Sequence, residues 1–181
     1  LLVVLAALRG DAWKVVSVAI YGATLIMLYG ISTLYHSLRG RPKNIFRKLD
    51  HQAIYPLIAG TYTPFCLVTL RGPWGWSLLG VVWGLAVLGM LQEFRPRNEA
   101  IILSVVIVVV MGWVILVAVV PLLEALGPVG FAWVAAGGLF YTAGIVFYAF
   151  DTRFPHWHGI WHLFVIAGSA THYFAILLYV L

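Results

Sequence analysis

Six stretches of the chain contain no Asp, Glu, Lys or Arg, and each is long enough to cross a bilayer: residues 15–36, 53–70, 72–92, 100–123, 125–150 and 154–181. The shortest, 53–70, holds 18 residues, the length at which an apolar run reads as a transmembrane helix. Hydrocarbon supplies no hydrogen-bond partners, so such a run must close its backbone bonds within itself, as an α-helix. Residues 1–8 are apolar but too short to span, and they read as the second half of a further helix. The fold class that follows is an all-α integral membrane protein, a seven-transmembrane-helix bundle whose first helix is truncated in this chain. It forms a single transmembrane domain over 1–181.

Charge sets the expected orientation. The chain is 63% hydrophobic and only 9% charged, so its net charge of +5 does not point to nucleic acid. Basic loops mark the cytoplasmic face of membrane proteins. Arg39, Arg41, Lys43, Arg47 and Lys48 form one basic loop, and Arg95, Arg97 and Arg153 fall on loops of the same side. The alternate loops carry only Arg9, Lys14 and Arg71. This imbalance predicts a cytoplasmic 39–48 loop, an inside N-terminus and an outside C-terminus. Turn residues agree with the boundaries: Gly72-Pro73, Pro96, Pro121 and Gly127-Pro128 punctuate the apolar runs. Pro56 and Pro64 lie within 53–70 and predict a kink there. Cys66 is the single cysteine, so no intramolecular disulfide forms.

Ionisable groups that border hydrocarbon are costly and mark function. His36 closes the run 15–36, Asp50 lies just ahead of 53–70, and His158 and His162 open the run 154–181. With 1–8 taken as the first span, these are the second, third and seventh spans, and the ends in question share one membrane face. His158 and His162 are four residues apart and project from one helical face, as do Ser32 and His36. Ser169 and His172 continue the first stripe, and Thr61 shares a face with Asp50. Three neutral imidazoles with one open position are a common way of holding catalytic zinc. Asp50 is then either a fourth ligand or, as favoured here, the group that grips a metal-bound water. Zinc lowers the pKa of such a water toward about 7, with Asp50 as general base and Ser32 orienting the water or a substrate carbonyl.

Alternatives remain beside the metal reading. A histidine pair at this spacing also serves as interhelical hydrogen-bonding glue, and Asp/His chains also serve as proton relays. Gly159 stands where the zincin pattern requires Glu, so no peptidase mechanism follows. His156 and His51 face away from the stripe. His172 lies about 15 Å along the helix from His162, too far to share a metal, and reads as a buried hydrogen-bonding residue or as pocket lining.

Ser32-Thr33-Leu34-Tyr35-His36, Lys48-Leu49-Asp50-His51 and His158-Gly159-Ile160-Trp161-His162 together resemble the signature of the hemolysin III proteins. These are the bacterial branch of the adiponectin/progestin receptor (PAQR) family. The resemblance covers essentially the whole chain. It implies seven helices in the plasma membrane and a zinc ion near the cytoplasmic face, with His36, His158 and His162 as ligands, Asp50 positioning the zinc-bound water and Ser32 close by. The family is thought to be related to alkaline ceramidases, which are intramembrane zinc amidases. The activity implied is zinc-dependent hydrolysis of a lipid amide or ester, in membrane lipid homeostasis. The implied partners are membrane lipids, with a lipid substrate in the helix cavity. The competing implications are a non-enzymatic regulator of membrane properties with structural zinc, and a cytolytic pore. His51 departs from the aromatic of the receptor branch, and the long soluble N-terminal region of receptors is not expected, nor is signalling by extracellular protein hormones.

Overall fold

The computed structural model describes residues 1–94, 97–151 and 153–181, with the side chains of 97–101 set aside. Arg95, Arg97 and Pro96, used above to place a loop, lie outside the described side chains. Among the described residues every regular element is helical: α1 (Leu2–Leu8), α2 (Ala12–Ser37), α3 (Arg41–Pro64), α4 (Pro73–Gln92), α5 (Arg97–Trp113), α6 (Val119–Ala149) and α7 (Trp157–Tyr179). A π-helical segment, Phe65–Thr69, extends α3, and a 3-10 segment, Val114–Ala118, follows α5. Among the described residues, four stretches are long and apolar enough to cross a membrane: Ala12–Ser37, Pro73–Gln92, Ile102–Ala149 and Trp157–Tyr179. Large apolar side chains stand outward on them, with Ile26 78%, Ile102 75% and Leu163 65% exposed. So much outward apolar surface needs lipid to cover it. The chain divides into two compact units, Leu1–Ile115 and Leu116–Leu181.

In the first unit, Asp11 starts α2. Its carboxylate accepts the Trp13 N–H at 2.8 Å and the Lys14 N–H at 3.4 Å, two donors that the first turn of a helix leaves unpaired. Val18, Tyr21, Thr24 and Leu28 are buried at helical spacing, and the stripe continues to half-buried Ser32. This helix packs along α3. Gly60 permits the contact, because a β-carbon there would run into the side chain of Thr24.

The charge pattern predicts a basic loop over 39–48, but the structure does not keep most of it as a loop. Only Leu38–Gly40 connects the helices, and α3 begins at Arg41 with Pro42 in its first turn. Proline is pre-organised for that position, and Arg and Lys are good helix formers, so exposed cations extend the helix at little cost. Arg41, Arg47 and Lys48 are exposed, and the Lys43 ammonium lies 5.2 Å from the centre of the Tyr35 ring. Asp50 therefore sits in the third turn of α3 rather than at its start. The helix runs on through Pro56, and the disturbance expected from proline appears at Pro64, where the wider π turn begins.

Polar side chains tie the far ends of this unit together. The Tyr55 hydroxyl donates to Glu93 Oε1 at 2.9 Å, and the Ser104 hydroxyl donates to the same oxygen at 2.6 Å. Gln92 Nε2 lies 2.9 Å from the Tyr55 hydroxyl and 2.6 Å from the Ser104 hydroxyl. The Tyr62 hydroxyl donates to the Gly112 carbonyl at 3.0 Å and accepts the Ile115 N–H at 3.3 Å. Helices α3, α4 and α5 are thus joined by bonds that an apolar setting strengthens.

The second unit is a helical pair. Within α6, Gly127 leaves helical geometry (φ 69°, ψ 172°) immediately before Pro128, the dipeptide expected to interrupt the apolar runs. Phe147 meets Trp157 and Phe164, Tyr141 meets Ser169, and Val134 meets His172, so α6 and α7 run antiparallel. Phe147 and Phe164 stack at 5.0 Å between centroids, and Tyr148 packs on Trp161 at 5.0 Å.

Candidate metal centre

The first unit places Ser32 and His36 on successive turns at the end of α2, with Ser32 half-buried and His36 exposed. The His36 ring packs 4.6 Å from that of Tyr35. Asp50, on the adjacent helix α3, is only 5% exposed. His51 is half-buried. The Thr61 hydroxyl bonds back to the Leu57 carbonyl at 2.8 Å, which satisfies its own helix.

The second unit brings His158 and His162 together. Both are half-buried in the first two turns of α7, and their Nε2 atoms lie 3.2 Å apart. Two nitrogens bound at 2.0–2.1 Å to one tetrahedral zinc would stand about 3.3 Å apart, so the spacing fits two ligands of one ion. The other nitrogen of His158, Nδ1, lies 2.8 Å from Asp151 Oδ2. With the carboxylate ionised, Nδ1–H is the donor of this bond, and in the neutral ring that leaves Nε2 as the acceptor or ligand atom on the side of His162. The same 3.2 Å also accommodates a hydrogen bond in which His162 Nε2–H donates to His158, the interhelical-glue chemistry confined to one helix. Trp161 lies beside both rings, at 5.1 Å from His158 and 4.5 Å from His162.

Asp151 has no place in the sequence pattern. It precedes α7 in the connection from α6, outside the helical periodicity that marks Ser32, His36, His158 and His162. The only sequence signal was a carboxylate shortly ahead of a histidine pair, seven residues before His158.

Further along α7, His172 is buried, and its Nε2 lies 3.2 Å from the Val134 carbonyl. It is the buried hydrogen-bonding residue expected of it. Ser169 pairs with Tyr141 at 2.8 Å. His156 stands at the N-cap of α7 in a left-handed conformation (φ 71°) and is exposed.

Comparison with known proteins identifies the family. The family model for haemolysin-III related proteins matches residues 1–173. Hemolysin-3 of Bacillus cereus is 45% identical over 183 residues, spanning 100% of this chain and 83% of that protein. A hemolysin-3 homolog of Bacillus subtilis (strain 168) is 43% identical, covering 98% of this chain and 84% of its own length. The human monocyte to macrophage differentiation factor is 29% identical, over 93% of this chain and 72% of its own, and carries the similarity beyond bacteria to the wider receptor family. No solved structure matches the chain. With outward apolar helices and a family model spanning nearly its whole length, the chain belongs to the haemolysin III family of multi-pass membrane proteins, in contact with membrane lipids.

Proposed function

We propose that the protein is a zinc-dependent hydrolase of lipid amide or ester bonds, acting in membrane lipid homeostasis from a site at the cytoplasmic side of the plasma membrane. In this reading seven spans cross the bilayer, in one domain, with the N-terminus inside and the C-terminus outside. His36, His158 and His162 hold the metal. The observation that carries the proposal is the His158–His162 pair, with Nε2 atoms 3.2 Å apart and the Nδ1 of His158 held by a carboxylate. Helix order adds His36, because the ends of the second and seventh spans fall on one face.

A zinc ion held there supplies Lewis acidity, which polarises a carbonyl and makes water nucleophilic near neutral pH. The protein's own groups do the rest. Asp50 takes the proton from the attacking water and returns it to the leaving amine or alcohol. The Ser32 hydroxyl, one turn before His36, orients the substrate carbonyl. Substrate arrives laterally from the bilayer, which already holds lipid at the required depth.

The test has two stages. Metal analysis of gently extracted protein should find about one zinc per chain, lost in His36→Ala and His162→Ala. Zinc-loaded protein in liposomes should then release fatty acid from a lipid amide such as ceramide. Zinc without turnover across amide and ester lipids would remove the hydrolase and leave a structural metal. The name of the Bacillus cereus relative favours a second reading, membrane lysis. Dye release from liposomes that is insensitive to His162→Ala would support that reading instead.

A further inference from the structure

We propose that Asp151 is a positioning residue for the metal centre: it holds the Nδ1–H of His158 and thereby fixes Nε2 as the metal-facing atom. The inference rests on the zinc reading above and concerns a residue that the helical pattern does not include.

The geometry carries it in three ways. First, the Asp151 Oδ2 to His158 Nδ1 distance is 2.8 Å, within the range of charge-assisted hydrogen bonds, and the Asp151 side chain is only 16% exposed. Second, Asp151 has no helix-capping role to explain its position. Helix α7 is capped at His156 with no side-chain hydrogen bond, and Asp151 lies five residues earlier. Third, the connection that carries Asp151 is itself held. The Asp151 N–H bonds the Tyr148 carbonyl at 3.4 Å at the end of α6, and the Arg153 N–H bonds the Phe150 carbonyl at 2.9 Å. Phe154 stacks on Trp157 at 4.5 Å, and Phe150 meets the edge of the same ring at 6.3 Å. The carboxylate therefore reaches His158 from the end of α6, so the α6–α7 pair sets the angle of a ring on α7.

A metal-bound histidine needs its other nitrogen occupied by an acceptor. Such a partner selects the tautomer, stops the ring from turning and raises ligand basicity, and its loss typically costs 10- to 100-fold in metal affinity. An imidazole without that acceptor is free to carry its proton on Nε2, the wrong atom for a ligand.

The experiment measures zinc affinity by competition with a chelator, using the full chain in detergent as wild type, Asp151→Ala and Asp151→Asn. In parallel, nitrogen NMR of the metal-free protein reads which ring nitrogen of His158 bears the proton. Asp151→Ala should weaken zinc 10- to 100-fold and remove the Nδ1–H signal. Asp151→Asn keeps the side-chain volume and an acceptor oxygen, should lose less, and serves if the alanine variant fails to fold. Wild type that binds zinc, with both variants within twofold of it, overturns the role of Asp151 alone. Wild type that binds no zinc overturns the metal centre and this role with it. Affinity loss that tracks a lower thermal midpoint of the metal-free protein, with the His158 Nδ1–H signal intact, makes Asp151 merely structural and also overturns the proposal.

Discussion

The imidazole of His172 occupies the space that a side chain at Gly137 would need: a β-carbon on Gly137 would stand 2.5 Å from His172 Nε2. That nitrogen bonds the Val134 carbonyl one turn earlier on α6, so the ring cannot move away without giving up its hydrogen bond. The contact between α6 and α7 is therefore set by an absent side chain on one helix and a buried polar ring on the other. Gly137→Ala should destabilise the pair by about 1–3 kcal/mol, the usual cost of overpacking. Thermal unfolding in detergent should show a lower midpoint; an unchanged midpoint would mean that the helices separate there at no cost.

Zinc should bind the folded chain and not the unfolded one. Adding zinc to chelator-treated protein should raise the thermal midpoint, by the equivalent of about 2.7 kcal/mol at one hundred times the dissociation constant. The rise should vanish in His162→Ala. Treatment with chelator should leave the helical circular dichroism intact at low temperature if the ion is catalytic. Loss of that signal would assign the metal a structural role.

Asp50→Asn should separate binding from chemistry. The amide preserves the shape of a group buried on α3 but cannot take up a proton as a carboxylate does. Zinc content should remain close to that of the wild type, while turnover of a lipid amide falls by about 10²- to 10⁴-fold, the usual contribution of a general base. Zinc loss in this variant would instead make Asp50 a ligand.

The polar cluster joining α3, α4 and α5 predicts a cost to stability. Tyr55→Phe removes the donor to Glu93 and the acceptor for Gln92, which is itself 6% exposed. Gln92 and Glu93 keep their bonds to Ser104 and to each other, so the loss is that of the tyrosine's own bonds, about 0.5–1.5 kcal/mol each, read as a lower thermal midpoint with zinc stoichiometry unchanged. A fall in zinc content would show that the cluster reaches the metal site.

Much of this protein is legible in one dimension. The uncharged runs of the chain announce helices because lipid permits no open backbone, and that constraint acts on every residue of a run at once. The Ser32/His36 and His158/His162 pairs are legible because a four-residue spacing means one helical face wherever the helix lies. Gly127-Pro128 announces a break because proline and the residue before it are restricted locally. The start of α3 at Arg41 was hidden, since exposed cations are compatible with either a loop or a helix and only the short 38–40 connection decides between them. The hydrogen bond of Asp151 to His158, the seat of His172 against Gly137 and the sharing of Glu93 by Tyr55 and Ser104 were equally hidden. Each pairs residues on different helices or across a connection, where spacing along one helix relates nothing, and the partner is chosen by how two helices pack and how the connection between them turns. Local sequence thus determined the helices and the faces that carry histidine, whereas packing decided which carboxylate meets which imidazole.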